Sequence, residues 1–173
     1  MIFRTAEPDE LEAAASVHRE AFETGAEAAL VRALAQDGSY IPELSMVAVD
    51  DNHVVGHALF TRMWVDAAEG VTEVLSLAPV SVLSDYHGRG IGSILVTVGL
   101  QAARSRGECA VVVLGYADYY RRFGFVPARA LGIDPPAGWD VPDDAWMVLE
   151  LCEGGLEGVR GEARYPAPFL EVV

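Results

Sequence analysis

Residues 86–93 read Tyr86-His87-Gly88-Arg89-Gly90-Ile91-Gly92-Ser93, three alternate glycines and an arginine set between an apolar strand pattern and a helix pattern. Glycines let the backbone turn tightly and approach a ligand, and a helix start aims unpaired N–H groups and a positive dipole end at an anion. The flanks decide whether such a cradle forms. Upstream, Val74-Leu75-Ser76-Leu77-Ala78-Pro79-Val80-Ser81-Val82-Leu83 is rich in branched and apolar residues and predicts a mostly buried strand. Pro79 cannot donate to a ladder, so the strand is expected to bulge or lose a partner there, leaving main-chain groups of residues 80–82 for a ligand. Downstream, Ile91, Ile94, Leu95, Val98 and Ala102 fall at helical spacing, and Gly107 after Arg104 and Arg106 is a stop signal.

Spacing separates the families that use such a loop. A P-loop needs Gly-x-x-x-x-Gly-Lys, and this chain has no lysine: all twelve basic residues are arginine. A dinucleotide fingerprint counted from Gly88 and Gly90 puts Ser93 at its third glycine, with Glu108 at a distance suited to a ribose contact. Residues 86–93 instead resemble the coenzyme A pyrophosphate loop of the Gcn5-related N-acetyltransferase (GNAT) family: Gln or Arg, two residues, Gly, one residue, Gly or Ala. His87 takes the first position, and Gly90 and Gly92 the others. Farther on, Cys109-Ala110-Val111-Val112-Val113-Leu114-Gly115 predicts a buried strand. It is followed by Tyr116-Ala117-Asp118-Tyr119-Tyr120-Arg121-Arg122-Phe123-Gly124-Phe125, which resembles the family's strand, short helix and Tyr-x-x-x-Gly-Phe element. Arg164-Tyr165-Pro166-Ala167-Pro168-Phe169 is similar to the tail of one bacterial branch of that family.

The resemblance implies an α/β (mixed α+β) fold with a central, mostly antiparallel mixed sheet whose strands splay and which helices flank. It implies acetyl-CoA as acyl donor and direct transfer to a small-molecule or peptide amine in a ternary complex, and no metal is expected, because no His, Cys and carboxylate constellation in the sequence suggests one. On that basis Val80, Ser81 and Val82 contact the pantetheine, while Gly88, Arg89, Gly90, Ile91, Gly92 and Ser93 hold the diphosphate. Tyr120 would protonate the departing thiolate, a role that suits a phenol whose ordinary pKa is about 10; Tyr119 is the neighbouring alternative. The segment joining the first two helices borders the acceptor in the family, making Glu23 and Glu27 candidate amine contacts. The base stays open. The strand carboxylate of several relatives falls on Ser76, leaving Glu73, His57 and the helix-joining glutamates. A protein that keeps the fold as a non-catalytic acyl-CoA sensor or partner module is the alternative.

Composition and order fit this reading. At 173 residues with 51% hydrophobic content, the chain can bury a substantial core. An N-acetyltransferase domain is expected over residues 1–152, with 153–173 an irregular tail packed on it. No apolar run reaches membrane-span length, and the chain turns acidic after Arg4, so a cytoplasmic protein is expected. A net charge of −14 argues against nucleic acid. Residues 86–133 carry six arginines against two acids, a net +4 that leaves −18 elsewhere and suggests a local basic patch for an anionic cofactor. Cys109 and Cys152 lack metal-ligand spacing and read as separate, buried or partly exposed thiols. His18 reads as a packed or boundary residue on a helix from Pro8 to about Phe22, and His57 as a half-buried strand residue. A second helix is expected over 26–36, and strands over 2–6, 45–50, 54–65, 72–83 and 145–152. The order strand, two helices, three antiparallel strands, helix, strand is not that of a doubly wound dinucleotide fold. Family relatives often dimerise, and the apolar Phe169-Leu170-Glu171-Val172-Val173 end is open to homodimer contact or to packing on its own sheet.

Overall fold

The structure, a computed structural model, describes residues 1–22 and 24–171. The chain divides into two compact units. The first comprises Met1–Thr61, Ala78–Ala102 and the described residues from Ala167; the second comprises Arg62–Leu77 and Ala103–Pro166.

In the first unit, β1 (Ile2–Thr5) leads through a 3-10 turn at Pro8–Glu10 into α1 (Leu11–Ala21), and α2 (Ala26–Leu34) follows. Pro8 opens the turn at a position where its missing N–H costs nothing, and the Glu10 carboxylate accepts the Glu7 amide at 2.8 Å while pairing with Arg4 at 2.7 and 2.8 Å. Gly25, at φ +68°, separates the two helices. β1 pairs antiparallel with β2 (Tyr40–Asp50), which pairs antiparallel with β3 (His53–Ala67). Asp51 and Asn52 both take left-handed φ, +46° and +63°, in the two-residue turn that the polar pair predicts. β2 starts earlier than its apolar pattern suggests. Pro42 lies inside it, and the register shifts between the pairs made by Tyr40 and Ser45, as expected of a strand that must accommodate a residue without an N–H. α1 buries Ala14 against Val47 and Val49 of β2. Across the sheet, α3 (Ile91–Ser105) approaches β3 closely: a Cβ on Gly99 would stand 2.2 Å from the Phe60 ring. A 3-10 helix at Ala167–Glu171 packs beside α2 and buries Phe169, while Leu170 is exposed. The apolar end therefore packs on its own unit as far as Phe169; Val172, Val173 and Glu23 lie outside the described residues.

β4 (Gly70–Val82) ends in the first unit but begins in the second, where it meets β5 (Ala110–Leu114) in parallel through Leu75↔Val111 and Ser76↔Val112. The elements α4 (Ala117–Tyr120), β6 (Val126–Pro127), β7 (Ile133–Asp134), β8 (Trp146–Glu150) and β9 (Gly161–Arg164) follow. β8 runs antiparallel to β5 over five residue pairs and also pairs with β6. β9 lies antiparallel to residues 64–66 of β3 and parallel to β7. The sheet is thus mixed and mostly antiparallel, flanked by helices, as the resemblance implies.

Two expectations are corrected in this unit. The tail is not irregular: it adds β9 to the edge of β3, and Tyr165 is buried against the rings of Trp139 and Trp146, at 5.3 and 6.3 Å. Gly161-Glu162-Ala163-Arg164 carries no apolar alternation that could have announced a strand. The cysteines are not separate thiols either. Cys109, just before β5, forms a disulfide with Cys152, just after β8, across a Cα–Cα distance of 4.9 Å. The neighbouring Gly155 is a packing requirement, because a Cβ there would meet the Cys109 carbonyl oxygen at 2.5 Å and Cys152 Sγ at 2.9 Å.

Side-chain ion pairs tie strands, helices and loops. Arg62 binds Glu108 through two contacts of 2.6 and 2.8 Å, Arg164 reaches Asp66 at 2.6 Å, Arg32 reaches Glu12 at 2.9 Å, and Arg129 pairs with Asp143. Among the described residues no helix is long and apolar enough to cross a membrane.

Candidate active site

In the first unit the glycine loop has the geometry of an anion cradle. Gly88 and Gly90 sit at φ +74° and +76°, and a Cβ at either would meet nothing within 4 Å. The Gly90 carbonyl accepts the Ile94 amide at 3.1 Å, so the amides of Ile91 and Gly92 precede the first intrahelical bond of α3. Left-handed backbone, open space and first-turn amides together suit a diphosphate. Two side chains brace the loop rather than reach outward. His87 Nε2 donates to the Val82 carbonyl at 2.8 Å, tying the loop to the end of β4. The Arg89 guanidinium donates to the Asp85 carbonyl at 3.0 Å and lies over the Tyr86 ring, 4.8 Å from its centroid. The Ser93 carbonyl accepts the Thr97 hydroxyl at 2.8 Å.

The strand leading into the loop presents alternate edges. The Leu83 amide donates to the Val55 carbonyl of β3 at 2.9 Å. By strand alternation the main chain of Ser81 faces β3 as well, and that of Val80 and Val82 faces the other edge. With the Val82 carbonyl taken by His87, its amide is the group left to offer. The Ser81 hydroxyl lies 2.7 Å from His18 Nδ1. His57, expected half-buried, and His18, expected packed or at a boundary, are both completely buried and bonded to each other, His18 Nε2 to His57 Nδ1 at 2.8 Å, and His57 Nε2 meets Ser45 Oγ at 2.9 Å. Burial pushes the His18 imidazole down to about 4, and burial together with His18 pushes His57 well below the ordinary histidine range, so both rings are neutral at pH 7. Both positions were visible as histidines. Their meeting required the packing of α1 on β3.

In the second unit, α4 places Tyr120 beneath the end of β5. Its ring lies against Gly115, where a Cβ would come within 2.5 Å of Cε2, and edge-on to Tyr119 and Phe125 at 5.0 and 5.7 Å. Burial and the neighbouring Tyr119 push its phenol up to about 12. The Tyr119 ring is instead covered by the Arg122 guanidinium at 4.4 Å. Gly124, at φ +96°, ends the 3-10 helix Arg121–Phe123, which explains the glycine of that motif.

The remaining candidates separate clearly. Glu73 is exposed and pairs with Arg62 at 3.7 Å, whereas Ser76 is fully buried. Glu27, in the first turn of α2, has one carboxylate oxygen, Oε2, buried without a hydrogen-bond partner among the described residues. Of the six arginines between residues 86 and 133, Arg106 pairs with Glu108, Arg121 with Asp118, and Arg129 with Asp134 and Asp143.

Residues 3–128 match the acetyltransferase (GNAT) domain family, and the chain belongs to it. It is 33% identical over 170 residues, 98% of each chain, to the uncharacterized N-acetyltransferase YhbS of Escherichia coli strain K12. It is 36% identical over 138 residues to the uncharacterized N-acetyltransferase YjhQ of the same organism, covering 78% of this chain and 76% of that one. The crystal structure of Escherichia coli YhbS in complex with CoA superposes with a TM-score of 0.88 at 31% identity, covering 98% of this chain and 91% of that one. A GNAT family acetyltransferase from Brucella melitensis in complex with acetyl-CoA gives 0.78 at 27% identity over 97% of each.

Proposed function

We propose that this N-acetyltransferase moves the acetyl group of acetyl-CoA directly to an amine held beside it in a ternary complex. The observation that carries the reading is the loop at Gly88 and Gly90, two left-handed glycines with empty space over their Cα atoms at the start of a 15-residue helix. Gly88, Arg89, Gly90, Ile91, Gly92 and Ser93 hold the diphosphate, chiefly through main-chain amides. Val80 and Val82 offer main-chain groups to the pantetheine, and the Val82 amide polarises the thioester carbonyl. Tyr120 donates to the sulfur. The donor supplies the activated acetyl group, and the protein supplies alignment and charge stabilisation.

Release of free thiol from acetyl-CoA, measured against polyamines, aminoglycosides, amino acids and peptide N-termini, tests this directly. Tight donor binding with no acetylated product from any amine would support the sensor alternative. Gly90→Ala forces a side chain into left-handed backbone, at a cost of roughly 1–2 kcal/mol, and should weaken coenzyme A binding about tenfold while the folded state persists. Equal affinity in calorimetry removes the loop from the diphosphate site.

Glu27 is the proposed contact for the cationic amine, because a carboxylate oxygen buried without a partner is completed by a ligand donor. Glu27→Gln should raise KM for the amine several-fold and leave KM for acetyl-CoA in place. An unchanged amine KM assigns recognition to other residues.

A further inference from the structure

Four side chains of the first unit form one buried line of hydrogen bonds: Ser81 Oγ to His18 Nδ1 at 2.7 Å, His18 Nε2 to His57 Nδ1 at 2.8 Å, and His57 Nε2 to Ser45 Oγ at 2.9 Å. Their relative exposures are 7%, 0%, 0% and 2% in that order, so Ser81 is the least covered member. The line crosses three elements besides β4, with His18 on α1, His57 on β3 and Ser45 on β2. Besides these partners, His18 stacks on the Phe22 ring at 6.3 Å.

Each neutral imidazole has one N–H and one lone pair, so two polarities satisfy the line. In one, Ser81 donates to His18, His18 to His57 and His57 to Ser45, and the Ser81 oxygen keeps its lone pairs for an outside donor. In the other, every bond reverses and the Ser81 hydrogen points outward. Burying two imidazoles end to end imposes a desolvation cost that apolar side chains in the same places would avoid. The line ends on the strand segment between Val80 and Val82, and no strand carboxylate is available at Ser76.

We propose that Ser81 and His18 take the proton from the reacting amine nitrogen, with His57 and Ser45 as positioning residues that hold His18 in the accepting tautomer. This rests on the reading under Proposed function. The bound ammonium first loses one proton to water; the neutral amine then attacks the thioester carbonyl, forming the C–N bond and moving the π pair to oxygen. The proton on the now cationic nitrogen passes to Ser81 Oγ as the Ser81 proton passes to His18 Nδ1, while His18 Nε2–H stays bonded to His57; burial makes this transfer uphill, so the imidazolium is transient. Collapse of the adduct restores the carbonyl and breaks the C–S bond, whose electron pair leaves with the thiolate. His18 then returns its proton through Ser81 to water. Counted from the bound ammonium, the sum is amide, thiolate and two released protons.

The test compares wild type, Ser81→Ala, His18→Gln and His57→Gln in kcat, both KM values and donor Kd, over pH 6.5 to 9.5. Ser81→Ala and His18→Gln should lower kcat about a hundredfold with donor Kd unchanged. Their rates should climb with pH about tenfold more per unit than the wild-type rate, because hydroxide then takes the proton. His57→Gln keeps an acceptor for His18 and should lose less than about tenfold. A purely structural line would shift thermal stability and leave the pH profile alone. Wild-type kcat and pH profile in both Ser81→Ala and His18→Gln overturn the proposal, and if His18→Gln does not fold, Ser81→Ala decides. Acetyl mass trapped on Ser81 also overturns it, since the serine would then be a nucleophile. Failure of wild type itself to acetylate any amine refutes the proposed function and this proposal together, which distinguishes the two failures.

Discussion

Tyr120→Phe should leave acetyl-CoA affinity where it is and lower kcat about ten- to a hundredfold, the size expected for loss of one hydrogen bond to a developing charge. The phenol, pushed up to about 12 by burial, is protonated throughout the working range, so the donor is always present. That value lies above the ordinary thiol pKa of about 8.5, so complete transfer to sulfur is uphill. What Tyr120 supplies is therefore a proton-donating hydrogen bond that strengthens as the C–S bond breaks, and the loss falls in kcat rather than in binding. The ring is held by Gly115, Phe123 and Phe125, and the phenylalanine variant keeps that packing. Tyr119→Phe is the control, with little effect expected because Arg122 covers that ring. Unchanged turnover of Tyr120→Phe with a genuine acceptor removes the assignment.

Reduction of Cys109–Cys152 should lower folding stability by about 4 kcal/mol, the chain-entropy value for a closure of 43 residues. That is roughly a thousandfold in the folding equilibrium. The native ladder changes little on reduction, because β5 and β8 are already joined and the Leu151 amide donates to the Cys109 carbonyl at 2.8 Å. The effect thus comes mainly from the unfolded chain, which regains the freedom of the loop between the two cysteines. Urea unfolding with and without reductant measures it, and Cys152→Ser should reproduce the reduced value. Coincident midpoints would show that the bridge contributes nothing in solution. In a compartment that holds thiols reduced, the stability measured with reductant is the relevant one.

What could be read in advance was local. The glycine loop, the hairpin at Asp51 and Asn52, and the run from Tyr120 to Phe125 each carry their signal within a few residues, and backbone sterics fix the outcome. The missed features all join distant segments. Nothing near Cys109 points to Cys152, since their meeting depends on the register of β5 against β8 across more than 30 intervening residues. β9 was invisible because four residues with one buried side chain leave no period to detect. The histidine line required knowing which face of α1 meets β3. The charge count over residues 86–133 says where arginines lie in sequence and not what they meet: Arg129 is engaged by Asp134 and Asp143, from beyond that span.

Every side-chain ion pair described in the fold uses a guanidinium, at Arg4, Arg32, Arg62, Arg129 and Arg164. A guanidinium remains charged and offers no free amine at neutral pH. A protein that works beside a reactive thioester thereby has no ε-amino group for its own donor to modify, and the contacts that secure its ladders cannot be eroded by lysine acetylation. For the experimenter the same composition gives a clean background: an acetyl label retained on a side chain of this protein cannot be stray lysine chemistry.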